Sequence, residues 1–251
     1  MGKSMLLKCI IGSFSHFLFF GLLFVSLPIA FIVYGLMRPF LKEREYFFQK
    51  GFAFTNKLFF FMVPRIVVKY DLPTTLPKSA LYLSTHQSIL DYPILSTLVK
   101  KHLIVAKVNL GAVPFVAKIS DLVGVRYFAG KNLDDVSQIY NEFEEMLLLG
   151  NNIIFFPEGT RHTGAKLEPF KRGAFRLAVK TNRPIVPVVI EGLTQILPRK
   201  SFCFKTIKKT TIHVKMLEPI YPESFKNDLA LMRHVQEIMQ TQKDILCDTS
   251  S

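Results

Sequence analysis

From Cys9 to Met37 the chain runs without a single Asp, Glu, Lys or Arg, and no other feature restricts its folding as tightly. A helix crossing a bilayer needs roughly 20 consecutive apolar residues, so this stretch is long enough to span with some tilt. It is longer than the apolar core of a secretory signal and no cleavage-site pattern follows it, so it reads as a retained anchor. Gly21 and Pro28 interrupt the run. Pro28 lacks a backbone donor and predicts a kink, which leaves two forms open: one transmembrane helix, or a two-helix motif dipping into one leaflet. Lys3 and Lys8 precede the run, and Arg38, Lys42 and Arg44 follow it. That bias predicts a body on the cytoplasmic face.

The next segment, Tyr46 to Val63, is rich in phenylalanine but carries Lys50 and Lys57. Two readings stand: an ordinary core helix, or an interfacial helix lying on lipid with its lysines at the headgroups. Residues 1–63 are therefore assigned to a membrane anchor plus interfacial helix, and residues 64–251 to one folded domain.

Within that domain, short aliphatic or β-branched runs recur at Ala80–Ser84, Leu103–Ala106, Asn152–Phe156, Ile185–Ile190 and Thr210–Leu217. Helical spacing lies between several of them. In Leu133–Leu149 the apolar residues Leu133, Val136, Tyr140, Phe143 and Leu147 fall three or four apart, with Asn132 placed to cap and Gly150 to stop the helix. Ser224 is placed to cap a last helix running to about Lys243. Alternation of this kind predicts an α/β fold, a sheet covered by helices.

The formal charge of +13 predicts anionic partners. Anionic lipid, phosphorylated small molecules and nucleic acid all satisfy charge, but no recognised nucleic-acid motif is present, so a nucleic-acid partner is not expected. The cysteines are Cys9, Cys203 and Cys247, an odd number without metal-type spacing. His16, His102, His162, His213 and His234 are scattered. Neither a disulfide framework nor a metal site is expected, and a reducing compartment is.

Two blocks carry chemistry. The strand Ala80–Ser84 leads into Thr85-His86-Gln87-Ser88-Ile89-Leu90-Asp91-Tyr92-Pro93, with His86 at a strand end and Asp91 at a helix start. On one continuous helix the two would sit about 140° apart, so a loop between them is what lets them meet. A carboxylate on one imidazole nitrogen fixes the tautomer and frees the other to take a proton from a hydroxyl. No GxSxG serine is present, which favours direct attack by a substrate hydroxyl over an acyl-enzyme. Alternatively Asp91 is a helix cap and nothing more. The second block is Phe156-Pro157-Glu158-Gly159-Thr160-Arg161, after the strand Asn152–Phe156. Pro157 ends the strand and Gly159 permits a tight turn, exposing Glu158, Thr160 and Arg161 where α/β folds place ligands. Arg161 could grip a phosphate in bidentate fashion, and Glu158 could accept hydroxyls or brace Arg161. Lys171 and Arg172 could extend a cationic site at a helix start, or form a solvated basic face.

These blocks, followed by Pro184-Ile185-Val186-Pro187, resemble the lysophosphatidic acid acyltransferase family, which carries His-x4-Asp, Phe-Pro-Glu-Gly-Thr-Arg and Pro-Ile-Val-Pro in that order. Pro169–Phe175 matches the usual continuation, and the resemblance covers about Leu81 to Gly192. It implies a mixed sheet flanked by helices of the glycerolipid acyltransferase type, with residues 64–251 as catalytic domain. It implies acyl transfer from acyl-CoA or acyl-carrier protein to the sn-2 hydroxyl of 1-acyl-sn-glycerol 3-phosphate, giving phosphatidic acid, with no cofactor and no metal in the chemical step. His86 would be the base and Asp91 its orienter. Glu158, Gly159, Thr160 and Arg161 would belong to the acceptor site. The bilayer, a lysophospholipid and the acyl donor would be the partners, at a bacterial inner membrane or endoplasmic reticulum. Two positions depart from the family pattern. Thr85 stands where Asn is usual, and Gly130 stands where the family has an arginine for the phosphate. Lys131 or Arg126 could substitute; otherwise the acceptor is another lysolipid, such as a lyso-aminolipid.

Overall fold

A computed structural model describes residues 44–63, 65–107, 120–128, 133–162, 164–197 and 209–248, together with Phe17, Leu18, Gly21, Leu22, Val25, Ile29, Ile32, Val33 and Leu36, which are helical. Most of the Cys9–Met37 run, and Asn132, lie outside the described residues. No described helix is long and apolar enough to cross a membrane.

Among the described residues seven strands form one sheet: β1 (Ile66–Asp71), β2 (Leu81–Ser84), β3 (His102–Lys107), β4 (Val125–Phe128), β5 (Asn152–Phe155), β6 (Ile185–Glu191) and β7 (Thr210–Met216). Their order is β1-β7-β6-β2-β5-β3-β4. The five strands from β6 to β4 run parallel. β7 is antiparallel to β6 and parallel to β1, so the sheet is mixed, as the resemblance implied.

Side-chain alternation along the strands divides the core. Tyr82, Ile154, Val186, Val188 and Ile190 face one layer of helices: α1 (Arg44–Met62), α2 (Asp91–Leu98) and the short α5 (Leu193–Ile196). Leu81, Leu83, Ile153, Ile185 and Val189 face the other: α3 (Leu133–Leu148), α4 (Gly173–Thr181) and α6 (Asp228–Asp248). With helices on both faces the central strands must be apolar throughout, which explains the unbroken runs in β2 and β6.

The five anticipated strands form within a residue or so of their expected ends. β1 and β4 were not anticipated; they are the two edge strands. Ser224 does not cap the last helix. It closes a single 3-10 turn, Pro222–Ser224, and Asn227 Oδ1 instead accepts from Ala230 N at 2.9 Å, so the helix begins four residues later and runs to Asp248.

One face of α1 is the core helix of the first reading, and the opposite face is left exposed. Phe48, Phe59 and Phe60 are buried, while Phe47, Phe54, Phe61 and Met62 are exposed, Phe61 by 85%. The inner face also docks through a buried amide. Gln49 Nε2 donates to the His102 carbonyl at 2.7 Å, and Gln49 Oε1 accepts from His102 N at 3.1 Å. His102 itself is buried, with Nδ1 donating to the Val99 carbonyl at 2.8 Å. Burial pushes its pKa down to about 4 despite that bond.

A histidine held neutral in the fold gains a proton on unfolding below its ordinary pKa. His102 should therefore cost stability as pH falls from about 6.5 towards 4, on the order of 3 kcal/mol in full. Thermal denaturation across that window should show a steeper loss for wild type than for His102→Gln. Parallel pH profiles would contradict it.

Candidate active site

Three loops meet at the C-terminal ends of β2, β5 and β6, in the centre of the sheet. In α/β sheets this end collects ligands, because consecutive connections diverge there to opposite faces. Here α2 follows β2 on one face and α4 follows β5 on the other.

The loop after β2 is pinned by four successive N–H groups, from Thr85 to Ser88. Thr85 N donates to the Val188 carbonyl at 3.1 Å. Its hydroxyl donates to the Ile190 carbonyl at 3.2 Å and accepts from Ile190 N at 2.9 Å, prolonging the β2–β6 ladder by a side chain. His86 N donates to Glu158 Oε1 at 3.3 Å. Gln87 N and Ser88 N both donate to Asp91 Oδ2 at 2.8 Å. The same oxygen meets His86 Nδ1 at 2.7 Å. Asp91 is fully buried and begins α2, yet its carboxylate turns back to the loop rather than to the N–H groups of its own helix. It is therefore bonded to His86 and its loop and does not cap α2.

His86 keeps 22% side-chain exposure and stacks on Phe156, ring centroids 4.0 Å apart and planes at 17°. With Nδ1 taken by Asp91, Nε2 is the nitrogen left to exchange a proton with a substrate.

The second block comes to the same place. His162 N donates to the His86 carbonyl at 2.8 Å, so the turn from Pro157 to His162 lies against the histidine loop. Glu158 is buried, and both its oxygens serve backbone groups: Oε1 takes His86 N, and Oε2 takes Glu168 N at 3.1 Å. It is a strut between the two blocks. Burial raises its pKa, opposed by those two N–H groups, Lys243 and His162. Gly159 has φ of +68°, and a Cβ there would meet Lys171 Nζ. Lys171 thus lies over the turn that holds Thr160 and Arg161, both part-exposed.

Arg126 is not gathered into this group. It lies on β4, separated from β2 by β5 and β3. Its guanidinium binds Glu142 at 2.7 Å, Glu45 at 3.5 Å and the Asp121 carbonyl at 3.3 Å, tying β4 to α3 and α1. Lys131 and Gly130 lie outside the described residues. Sequence reasoning missed Gln87 and Glu191, which stand beside the pair: Gln87 Nε2 donates to both Glu191 oxygens at 2.7 Å. Gln87 borders the His86 motif, but no spacing rule pointed to Glu191 at the end of β6.

Residues 67–191 match the family model described as Acyltransferase. The chain belongs to the acyltransferase family. Curated relatives include 1-acyl-sn-glycerol-3-phosphate acyltransferases of three organisms. The chloroplastic BAT2 of Brassica napus is 35% identical over 122 residues, 48% of this chain and 35% of its own. The chloroplastic LPAT1 of Arabidopsis thaliana is 29% identical over 195 residues, 77% of this chain and 52% of its own. The alpha form of Ovis aries is 32% identical over 147 residues, 58% of this chain and 50% of its own. The chain thus spans between about a third and a half of the length of the curated relatives it matches. Among solved structures, the crystal structure of PlsC, the 1-acyl-sn-glycerophosphate acyltransferase of Thermotoga maritima, superimposes with a TM-score of 0.78, covering 95% of this chain and 97% of that one at 22% identity, a likeness of fold.

Gly159→Ala should lower the melting temperature by about 2–4 °C, since a side chain at positive φ costs on the order of 1 kcal/mol in a domain of this size. It should also displace Lys171 without altering far-UV circular dichroism. An unchanged melting temperature would show that the turn relaxes to negative φ at no cost.

Proposed function

We propose that this protein transfers a fatty acyl chain from a thioester, acyl-CoA or acyl-carrier protein, to the sn-2 hydroxyl of 1-acyl-sn-glycerol 3-phosphate at a membrane surface. The observation that carries this is the 2.7 Å contact between His86 Nδ1 and an Asp91 oxygen itself held by two backbone N–H groups. The names of the curated relatives agree with it.

The chemistry follows from that geometry. His86 Nε2 accepts the proton of the acceptor hydroxyl while the hydroxyl oxygen attacks the thioester carbonyl. The Asp91 carboxylate stabilises the imidazolium so formed. Collapse of the tetrahedral species breaks the carbon–sulfur bond, and the thiolate leaves with the proton from Nε2. An ester and a thiol result, and His86 returns to its neutral form. Arg161 and Lys171 supply positive charge for the acceptor phosphate, and Thr160 a hydroxyl donor.

The bilayer is the proposed platform. Phe54 and Phe61 on α1 are exposed beside Lys50 and Lys57, a pattern suited to a lipid interface. Phe17, Val25, Ile29, Ile32 and Leu36 expose further apolar surface, while Leu18 and Leu22 pack against the core. A location on the cytoplasmic face belongs to the same proposal.

One observation favours a second acceptor. Arg126 is committed to Glu142 and Glu45, so it does not replace the phosphate-binding arginine that Gly130 displaces, and a lysolipid without a phosphomonoester becomes the rival.

Membranes carrying the protein should convert labelled acyl donor and lysophosphatidate to phosphatidate. His86→Ala should abolish this, and Asp91→Asn should lower kcat on the order of 10³-fold with folding intact. Turnover of another lysolipid but not lysophosphatidate would select the rival; a fully active His86→Ala would sink acyl transfer at this site.

A further inference from the structure

Helix α6 lies beyond the segment that matches the acyltransferase model, residues 67–191, yet one of its faces holds the 164–170 segment that leads back to Glu158. Gln236, Gln240 and Lys243, spaced four and three apart, share that face. All three bind backbone groups of residues 164–170. Gln236 Oε1 accepts from Phe170 N at 3.4 Å, and Gln240 Oε1 accepts from Leu167 N at 2.7 Å while its Nε2 donates to the Ala165 carbonyl at 3.2 Å. Lys243 Nζ donates to the Gly164 carbonyl at 2.6 Å. The clamped segment contains Glu168, whose N–H holds Glu158 Oε2, and Glu158 Oε1 holds His86 N. A continuous path of hydrogen bonds thus leads from α6 to the His86 peptide.

Lys243 stands apart from the two glutamines because it is only 2% exposed. A buried ammonium persists where anions face it. Two carboxylates feel its charge: the buried Glu158 after β5 and the half-buried Glu191 at the end of β6. The other groups in the cluster are His162, which acts on Glu158; Asp91, which acts on Glu191; and Cys247, one turn further along α6 and within reach of Glu191, Lys243, Asp244 and Asp248. Glu191 in turn anchors Gln87, the neighbour of His86.

We propose that Lys243 is a positioning residue of the acyl-transfer site: its ammonium ties the 164–168 loop to α6 and counterbalances Glu158 and Glu191, so that both carboxylates hold the His86–Gln87 segment in place. This rests on the acyl-transfer reading of that site. Without the cation, both carboxylates take up protons at higher pH, and a protonated Glu158 or Glu191 is a poorer acceptor for the groups it anchors.

The test compares the full chain with Lys243→Met, Gln240→Ala and Lys243→Met/Glu158→Gln, by hydrogen exchange and by the pH dependence of kcat/KM. In Lys243→Met the amides of Leu167 and Glu168 should exchange about tenfold faster while β2 and β6 keep their protection. The acid limb of kcat/KM should move about one pH unit upward. Gln240→Ala should loosen the same amides without moving the limb. The limb should move less when Glu158 is already Gln. Should Lys243→Met fail to fold, Lys243→Gln, which retains a donor but no charge, carries the same two expectations. Unchanged exchange overturns the proposal. Faster exchange with an unmoved limb also overturns it, leaving Lys243 a structural tie. A wild-type protein that acylates no lysolipid would instead refute the proposed function, and the exchange comparison would still decide the tie.

Discussion

One carboxylate oxygen, Asp91 Oδ2, accepts from Gln87 N, Ser88 N and His86 Nδ1 at 2.7–2.8 Å, and the order of the site depends on that convergence. The two N–H groups are available because Gln87 and Ser88 lie between a strand and a helix and belong to neither. Asp91 reaches them because it opens α2, and α2 is fixed in depth by Ile94 and Leu95, which are completely buried. Core packing therefore determines how the imidazole is held. An oxygen with three donors also resists rotation, which is how a fold pre-organises a base before substrate arrives.

The surroundings of that pair are acidic within and basic without. The chain carries a formal charge of +13, yet Asp91, Glu158 and Glu191 converge behind the histidine loop. Burial raises the pKa of both glutamates, and backbone or amide donors together with Lys243 pull them back. The carboxylates serve the protein's own peptides, imidazole and amide, while Lys171 is exposed and Arg161 part-exposed.

What could be read in the sequence follows the physics of burial. The strands β2, β3, β5, β6 and β7 were legible as apolar or β-branched runs, since all five lie inside the sheet, where even β7 alternates buried with part-exposed residues. β1 and β4 escaped because each is an edge. β1 carries Lys69 and Asp71 on a half-exposed ribbon, and β4 is four residues long with Arg126 inside it. His86, Asp91 and the Pro157–Arg161 turn were legible as motifs. The role of Glu158 was not, because its partners are two backbone N–H groups, which leave no mark in residue identity. The same holds for Gln236, Gln240 and Lys243, whose contacts with residues 164–170 exist only once α6 packs beside α4.

The contact between His86 Nδ1 and Asp91 Oδ2 predicts an imidazole with its proton on Nδ1 and its bare nitrogen at Nε2. Nitrogen-15 NMR of the histidine-labelled protein, with the His86 signals assigned by their loss in His86→Ala, reads this directly. At neutral pH His86 should show a protonated Nδ1 and an unprotonated Nε2. A proton resident on Nε2, or an even mixture of tautomers, would contradict the assignment of Asp91 as orienter and of Nε2 as the proton acceptor.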